Sequence, residues 1–201
     1  MLSIILPNHK EEEILALIED IEERLPVHEI IISNDTESKG KGWAIREALS
    51  HAKGDQIAFL DGDGEIPARM LLRLLPFLED FDVVVGSKRI TNAPLRRKIM
   101  THVTRIWFRF LYGLQVDTQT GIKLFRREAI LSSPWISDSF VFDVEVLYNI
   151  QSKGFRIIEV PIECEIRRQL PFKTIWNVFR DSVFLWIRLR CQFLKSANPV
   201  A

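Results

Sequence analysis

The 201-residue chain reads as an α/β protein with a mostly parallel central sheet, helices on both of its faces, and an amphipathic helix at the carboxy terminus. Three observations predict this. Short β-branched or aliphatic runs alternate with stretches of helical period through the first half of the chain. The runs are apolar throughout rather than alternating, as strands covered on both faces must be. The composition, 47% apolar with 13 Phe and 5 Trp against 9 Gly and 9 Pro, supplies a sizeable core and excludes a disordered or low-complexity chain.

Strands are expected at Leu2–Leu6, Glu29–Ser33, Gln56–Leu60 and Val83–Gly86, with helices between them at Glu11–Arg24, Trp43–Ala52 and Pro67–Leu78. In such a layer structure, of the type that binds nucleotides, the ligand lies beyond the carboxyl ends of the strands. Pro7–Lys10, Asn34–Glu37, Asp61–Glu65 and Ser87–Arg89 all sit at those ends, so four polar tips converge on one rim. Beyond Arg89 the pattern predicts a long helix over about Leu95–Leu114, a strand at Gly121–Phe125, a helix near Asp143–Ser152, and a strand pair around Arg156–Arg167 broken by Pro161.

Residues 172–201 form a helix and tail set apart from a body at 1–171. Placed at 100° per residue, Lys173, Thr174, Asn177, Arg180, Asp181, Arg188, Gln192 and Lys195 occupy a polar sector of about 120°, and only Ser182 and Arg190 interrupt the apolar remainder. That apolar arc is wider than one packing face needs. It suits either a bilayer interface or packing against the body or a second copy.

No stretch reaches the roughly 18 apolar residues of a membrane span, and Met1–Leu6 is too short for a signal peptide. Cys164 and Cys191 are too isolated for a zinc cage or a disulfide framework and fit a reducing compartment. The protein is therefore expected in the cytoplasm, or peripheral to a membrane face that looks onto it. The formal net charge of +0 hides a segregation: residues 1–85 carry −10, 86–127 carry +9, 128–165 carry −5 and 166–195 carry +6. The two basic segments are where an anionic ligand or lipid surface would sit.

Asp61-Gly62-Asp63-Gly64-Glu65 follows directly on the apolar run Ile57–Leu60. Carboxylates at i and i+2 after a strand can offer oxygens to one hard cation while leaving positions open for diphosphate. The remaining ligands of an EF-hand loop are missing. The four histidines have no metal-ligand spacing, and Gly40-Lys41-Gly42 lacks the Ser or Thr of a full phosphate loop. The basic stretches carry no stacking-aromatic motif, so a nucleic-acid partner is poorly motivated.

Six pieces in order, Ser3–Glu12, Gly40–Ala44, Asp61–Asp63, Val84–Arg89, Asp117–Phe125 and Glu159–Ile162, resemble the family-2 glycosyltransferases of the glycosyltransferase-A fold. The resemblance is strongest to the dolichyl-phosphate mannose synthase-like branch, and it covers nearly the whole chain. It implies an inverting, metal-dependent transfer of a sugar from a nucleotide-sugar donor to a polyprenyl phosphate, with Mg²⁺ or Mn²⁺ as cofactor. By the same resemblance Asp61 and Asp63 are the D-x-D pair, the first near the nucleotide and the second on the metal, with Glu65 in the metal shell. Pro7, Glu11, Asp35, Lys41, Arg167 and Lys173 fall on the donor side. Lys88, Arg97 and Thr101 match the acceptor phosphate site. Lys10, Asn34, Lys88, Leu170 and Phe172 depart from the family's usual residues, and the stretch from Asp35 to Gly40 is short.

A phosphate acceptor is ionised at neutral pH and needs cations and alignment rather than a strong base. A hydroxyl acceptor would need a carboxylate base, for which Asp143 and Glu145 are the candidates; both also suit the first turn of a helix. The Q-x-x-R-W signature of processive synthases is absent. Asp117 either shapes the acceptor site or caps a turn. Two alternatives stay open: a transferase acting on a saccharide hydroxyl, and a non-catalytic module that binds nucleotide sugar or membrane, alone or with a membrane partner or a second copy.

Overall fold

The computed structural model describes residues 1–7, 11–25, 28–35, 39–88, 95–164 and 172–197, without the side chains at 11, 96, 97, 172–174 and 192–197. The elements are β1 (Leu2–Pro7), α1 (Glu11–Arg24), β2 (His28–Ser33), α2 (Lys41–His51), β3 (Gln56–Leu60), α3 (Arg69–Leu74), β4 (Val83–Lys88) and α4 (Leu95–Tyr112). They continue with β5 (Ile122–Arg126), α5 (Arg127–Leu131), α6 (Phe142–Ser152), β6 (Ile157–Ile162) and α7 (Phe172–Ala197). The helix expected over Pro67–Leu78 tightens into a 3₁₀ turn at Leu75–Glu79, because Pro76 cannot supply an α-helical N–H.

The strands form one sheet in the order β2-β1-β3-β5-β4-β6. β1 pairs in parallel with β2 and β3, and β4 with β6. β5 runs antiparallel between β3 and β4, which the sequence pattern did not reveal. The physical reason lies in the loop after α4: residues 113–121 reach the rim where β3 ends, Asp61 N donates to Gly121 O at 2.8 Å, and Ile122 pairs with Leu60. The chain can then only run back down the sheet. Of the strand pair expected around Arg156–Arg167, β6 runs through Pro161 without the expected break, and residues 165–167 lie outside the described residues. An edge strand tolerates the missing N–H.

Alternate side chains of the strands feed two cores. Leu2, Ile4 and Leu6 of β1 join Leu17 and Ile21 of α1 and Met70, Leu71 and Leu74 of α3 on one face. Ile5, Ile57, Phe59, Val83, Val85 and Phe125 meet α2, α4 and α6 on the other. Helices therefore cover both faces, as a mostly parallel sheet requires.

α7 belongs to the second core through Leu185 and Leu189. Ser182, the polar break in its apolar arc, is fully buried: it accepts from Trp107 Nε1 at 2.9 Å and donates to Phe179 O at 2.6 Å, and its carbonyl receives the Tyr112 hydroxyl. Trp107 meets Phe179 edge-on at 5.4 Å. Arg188, from the polar sector, reaches Glu145 at 2.8 Å and Ser137 at 3.0 Å. Half of the wide apolar arc thus packs on the body. The other half, with Trp176, Val183 and Ile187, stays exposed.

Ser182→Ala adds no volume but removes the acceptor of the half-buried Trp107 indole N–H, so thermal unfolding of the variant should show a loss of about 1–3 kcal/mol. The same change at exposed Ser50 should leave the melting temperature in place.

Candidate active site

Asp61 leaves the end of β3 on the rim, and its carboxylate is fixed from two sides. Lys41 Nζ, from the first turn of α2, donates to Asp61 Oδ1 at 2.5 Å. On the other side lies Gly121, where an added Cβ would come within 2.3 Å of Asp61 Oδ2. Only glycine leaves room for that carboxylate. Lys41 is itself aimed by the flanking glycines: a Cβ at Gly42 would meet Ser137 O at 2.3 Å, and Gly42 N donates to Asp138 O at 2.8 Å. The Gly-Lys-Gly piece is thus a helix start pressed onto residues 135–142. Arg46, bonded to Trp135 O and Asp138, clamps it there.

A second ion pair lies beneath the first. Buried Lys123 of β5 donates to Asp143 Oδ1 of α6 at 2.7 Å and to Thr120 O at 2.7 Å. Burial opposes charge on Lys41, but Asp61 with Asp143 and Asp63 outweighs it and raises the ammonium's pKa. Burial also opposes charge on Asp61, yet Lys41, Lys123 and Lys88 hold its carboxyl below the usual range. Asp63 is shifted the other way, raised by burial and by the neighbouring charges of Asp61 and Glu65. Its Oδ1 accepts from Glu65 N at 3.0 Å.

Lys88 ends β4 with its ammonium 3.8 Å from Glu65 Oε2, and its charge also acts on Asp61, Asp63 and Asp117. Asp117 is buried in the 113–121 loop and accepts from Gln119 N at 3.1 Å; burial raises its pKa. Arg105, which sequence reasoning missed, ties this corner together. Its Nη2 bonds both oxygens of Glu159 on β6 at 2.9 Å, and Glu159 Oε2 also accepts from Asp117 N at 2.7 Å. The available signal was spacing, since Arg97, Thr101 and Arg105 recur every four residues on α4.

Of the sequence-predicted residues, the structure brings Lys41, Asp61, Asp63, Glu65 and Lys88 together. Pro7 closes β1 on the same rim, and Thr101 lies on α4 one turn before Arg105. Asp35 is exposed after β2, and both of its oxygens accept from its own loop, Lys39 N at 2.7 Å and Gly40 N at 2.8 Å. Arg167 and the side chains of Glu11, Arg97 and Lys173 lie outside the described residues. Asp143 and Glu145 are both bound to cations, Lys123 and Arg188. Among the described residues no three His, Cys, Asp or Glu side chains converge as a ready-made metal cage. A divalent ion still fits at Asp63, a half-buried carboxylate held among other carboxylates, provided that donor phosphate and water complete its shell.

Removing Lys123 strands a buried carboxylate. Lys123→Met should cost about 3–5 kcal/mol in denaturant unfolding, and Lys123→Met with Asp143→Leu should recover most of it. A metal ion at Asp63 would have to compete with protons for a carboxyl whose pKa is raised, so Mn²⁺ affinity should begin to fall at a higher pH than an ordinary aspartate would give. Titrations at a series of pH values test this, and Asp63→Asn should abolish the Asp63-dependent binding and its pH dependence.

Comparison with known proteins agrees with this geometry. Residues 4–131 match the model of glycosyl transferase family 2. The human dolichyl-phosphate beta-glucosyltransferase is 26% identical over 93% of this chain and 75% of its own length. The yeast (Saccharomyces cerevisiae) enzyme of that name is 29% identical over 63% of this chain and 45% of its own. The polyprenol monophosphomannose synthase of Mycolicibacterium smegmatis is 26% identical over 72% and 57%. This chain thus spans roughly half to three quarters of these relatives. In backbone it resembles glucosyl-3-phosphoglycerate synthase from Mycobacterium tuberculosis, solved with Mn²⁺, UDP and glucosyl-3-phosphoglycerate, with a TM-score of 0.75 at 18% identity over 96% of this chain and 80% of that one. The fold is therefore that of the glycosyltransferase-A enzymes, and the chain belongs to glycosyl transferase family 2.

Proposed function

We propose that this chain carries out inverting, metal-dependent transfer of a sugar from a nucleotide-sugar donor to a polyprenyl phosphate, at a membrane face that it meets from the cytoplasmic side. The observation that carries this reading is where the charges go. Both carboxylates on which activation of a hydroxyl would rest are already occupied, Asp143 by Lys123 and Glu145 by Arg188. The rim instead presents ammonium groups, Lys41 and Lys88, around the Asp61–Asp63 turn. Such a site neutralises and aligns anions; it is poorly equipped to remove a proton from an alcohol.

A phosphate acceptor suits that equipment. Its second ionisation lies near pH 6, so its oxygen is nucleophilic without a base. That oxygen attacks the anomeric carbon opposite the departing diphosphate: the new carbon–oxygen bond forms, the old one breaks with its electron pair on the diphosphate, and the configuration inverts. A divalent cation held at Asp63, with Glu65 nearby, would supply neutralisation of the leaving diphosphate. Asp61, kept ionised by Lys41, orients the donor. Lys88 faces the carboxylate turn from β4 and balances the two approaching anions, with Arg97 and Thr101 assigned to the acceptor phosphate. The names of the dolichyl and polyprenol relatives support the lipid acceptor.

Radiolabelled nucleotide sugars incubated with short-chain polyprenyl phosphate should give label in the lipid fraction that needs Mg²⁺ or Mn²⁺ and disappears with EDTA. Asp63→Ala should lower the rate at least about a hundredfold. Transfer to saccharide hydroxyls with none to lipid, or donor binding without any turnover, would overturn the reading.

A further inference from the structure

The loop at 132–141, between α5 and α6, has neither helix nor strand of its own, so its backbone groups need partners from elsewhere. Glu145, in the first turn of α6, supplies them: its Oε2 accepts from Ser137 N at 2.8 Å and its Oε1 from Ile136 N at 3.2 Å. Glu145 is 2% exposed, and a carboxylate buried to that degree needs a cation. Arg188 of α7 provides it, with Nη2 2.8 Å from Glu145 Oε1 and 3.0 Å from Ser137 Oγ.

The same loop is the seat of α2. A Cβ at Gly42 would lie 2.3 Å from Ser137 O and one at Gly40 2.4 Å from Asp138 O, so the loop backbone touches the helix start on either side of Lys41. Two hydrogen bonds lock the contact, Gly42 N to Asp138 O at 2.8 Å and Trp135 Nε1 to Gly42 O at 3.0 Å. A shift of residues 135–138 would therefore carry Lys41 with it, and with Lys41 the ammonium that holds Asp61 Oδ1.

We infer that Glu145 and Arg188 are positioning residues of the donor site: together they fix the loop on which Lys41 is seated, and so the place of the Asp61 carboxylate. Both act through residues 136–138 rather than by a direct bond to Lys41 or Asp61. The carboxy-terminal helix is in this way part of the donor site, although Arg188 is far from the Asp61–Asp63 turn in sequence. The inference deepens the proposed reaction and rests on its assignment of Asp61 to the donor.

Arg188→Met alone strands the buried Glu145 carboxylate, so the test combines it with Glu145→Gln, which leaves no charge unpaired. Two readouts need no turnover. Amide hydrogen exchange over residues 40–46, where Gly42 N is held by Asp138 O, should be about tenfold faster in the double variant. With UDP and GDP each titrated in the presence of Mn²⁺, the nucleotide that binds the wild type should bind the double variant about tenfold more weakly. In the transfer assay KM for the nucleotide sugar should rise by about the same factor, while kcat and KM for polyprenyl phosphate stay within about twofold. Arg188→Lys, which keeps a cation opposite Glu145, should lie between the wild type and the double variant. Ser182→Ala, which loosens the same helix without touching the loop, should bind nucleotide as the wild type does.

Unchanged nucleotide affinity in the folded double variant would overturn the inference, as would an equal loss in Ser182→Ala, the mark of a role in stability alone. A loss of kcat of about a hundredfold in Glu145→Gln with nucleotide binding intact would overturn it as well, since Glu145 would then be a base. The two readings fail separately. Nucleotide binding that the double variant weakens, without lipid glycosylation, removes the reaction and keeps the positioning role, whereas lipid glycosylation with nucleotide binding untouched by the variant does the reverse.

Discussion

The rim depends on one compensated set of buried and half-buried charges, in which Lys41 holds Asp61 and Lys123 holds Asp143. Two ammonium groups and two carboxylates leave the set neutral, which is how a low-dielectric layer can contain ions at all. The four come from α2, from the end of β3, from β5 and from α6, so the set can form only when the sheet and both helices are in place. In return it holds the Asp61 carboxylate between Lys41 and Gly121 and favours its ionised form. The glycines at 42 and 121 belong to the same device, because each removes a side chain that would push Lys41 or Asp61 out of line. Motifs separated by eighty residues in sequence are in this sense one structural part.

The first four strands and three helices were legible because each is a local pattern: an apolar run or a 3.6-residue period, bounded by polar turns. The D-G-D turn was legible for the same reason, since its two carboxylates are close in sequence as well as in space. The antiparallel direction of β5 was not, because Ile122–Arg126 has the same apolar character whichever way it runs. Direction is set by where the 113–121 loop lands, a long-range fact. Asp143 and Glu145 pose a chemical choice, base or structural acid, and their partners Lys123 and Arg188 lie 20 and 43 residues away. Only the fold shows those pairings. Asp35 illustrates a different limit: the family resemblance puts it on the donor side, while its geometry turns both oxygens onto the backbone of its own loop.

The amphipathic reading of α7 was right about excess and incomplete about location. A single helix with an apolar arc wider than its contact was visible, and half of that arc is buried through Ser182 and the leucines beside it. The exposed apolar residues of α4, Leu95, Ile99, Val103, Ile106 and Phe110, escaped notice because the inner face of that helix is also rich in large residues. Periodicity reports that a helix is apolar on several sides, not which side meets the sheet. Burial resolves it, since Phe108 and Tyr112 turn inward while Phe110 between them is the most exposed large apolar residue among those described.

Arg105 connects these two halves of the molecule. A bifurcated donor to Glu159 that is shared with the Asp117 amide makes the inner face of α4, the edge strand β6 and the loop behind Lys88 a single rigid corner. An exposed surface ion pair would contribute little, but this one is half-buried and cross-braced by a backbone donor. Under the proposed reaction, a helix braced in this way would hold a phosphate at a fixed height above the Asp61–Asp63 turn. In-line displacement between two anions needs that fixed distance more than it needs a base, and the chain spends its buried carboxylates accordingly, on holding cations in place.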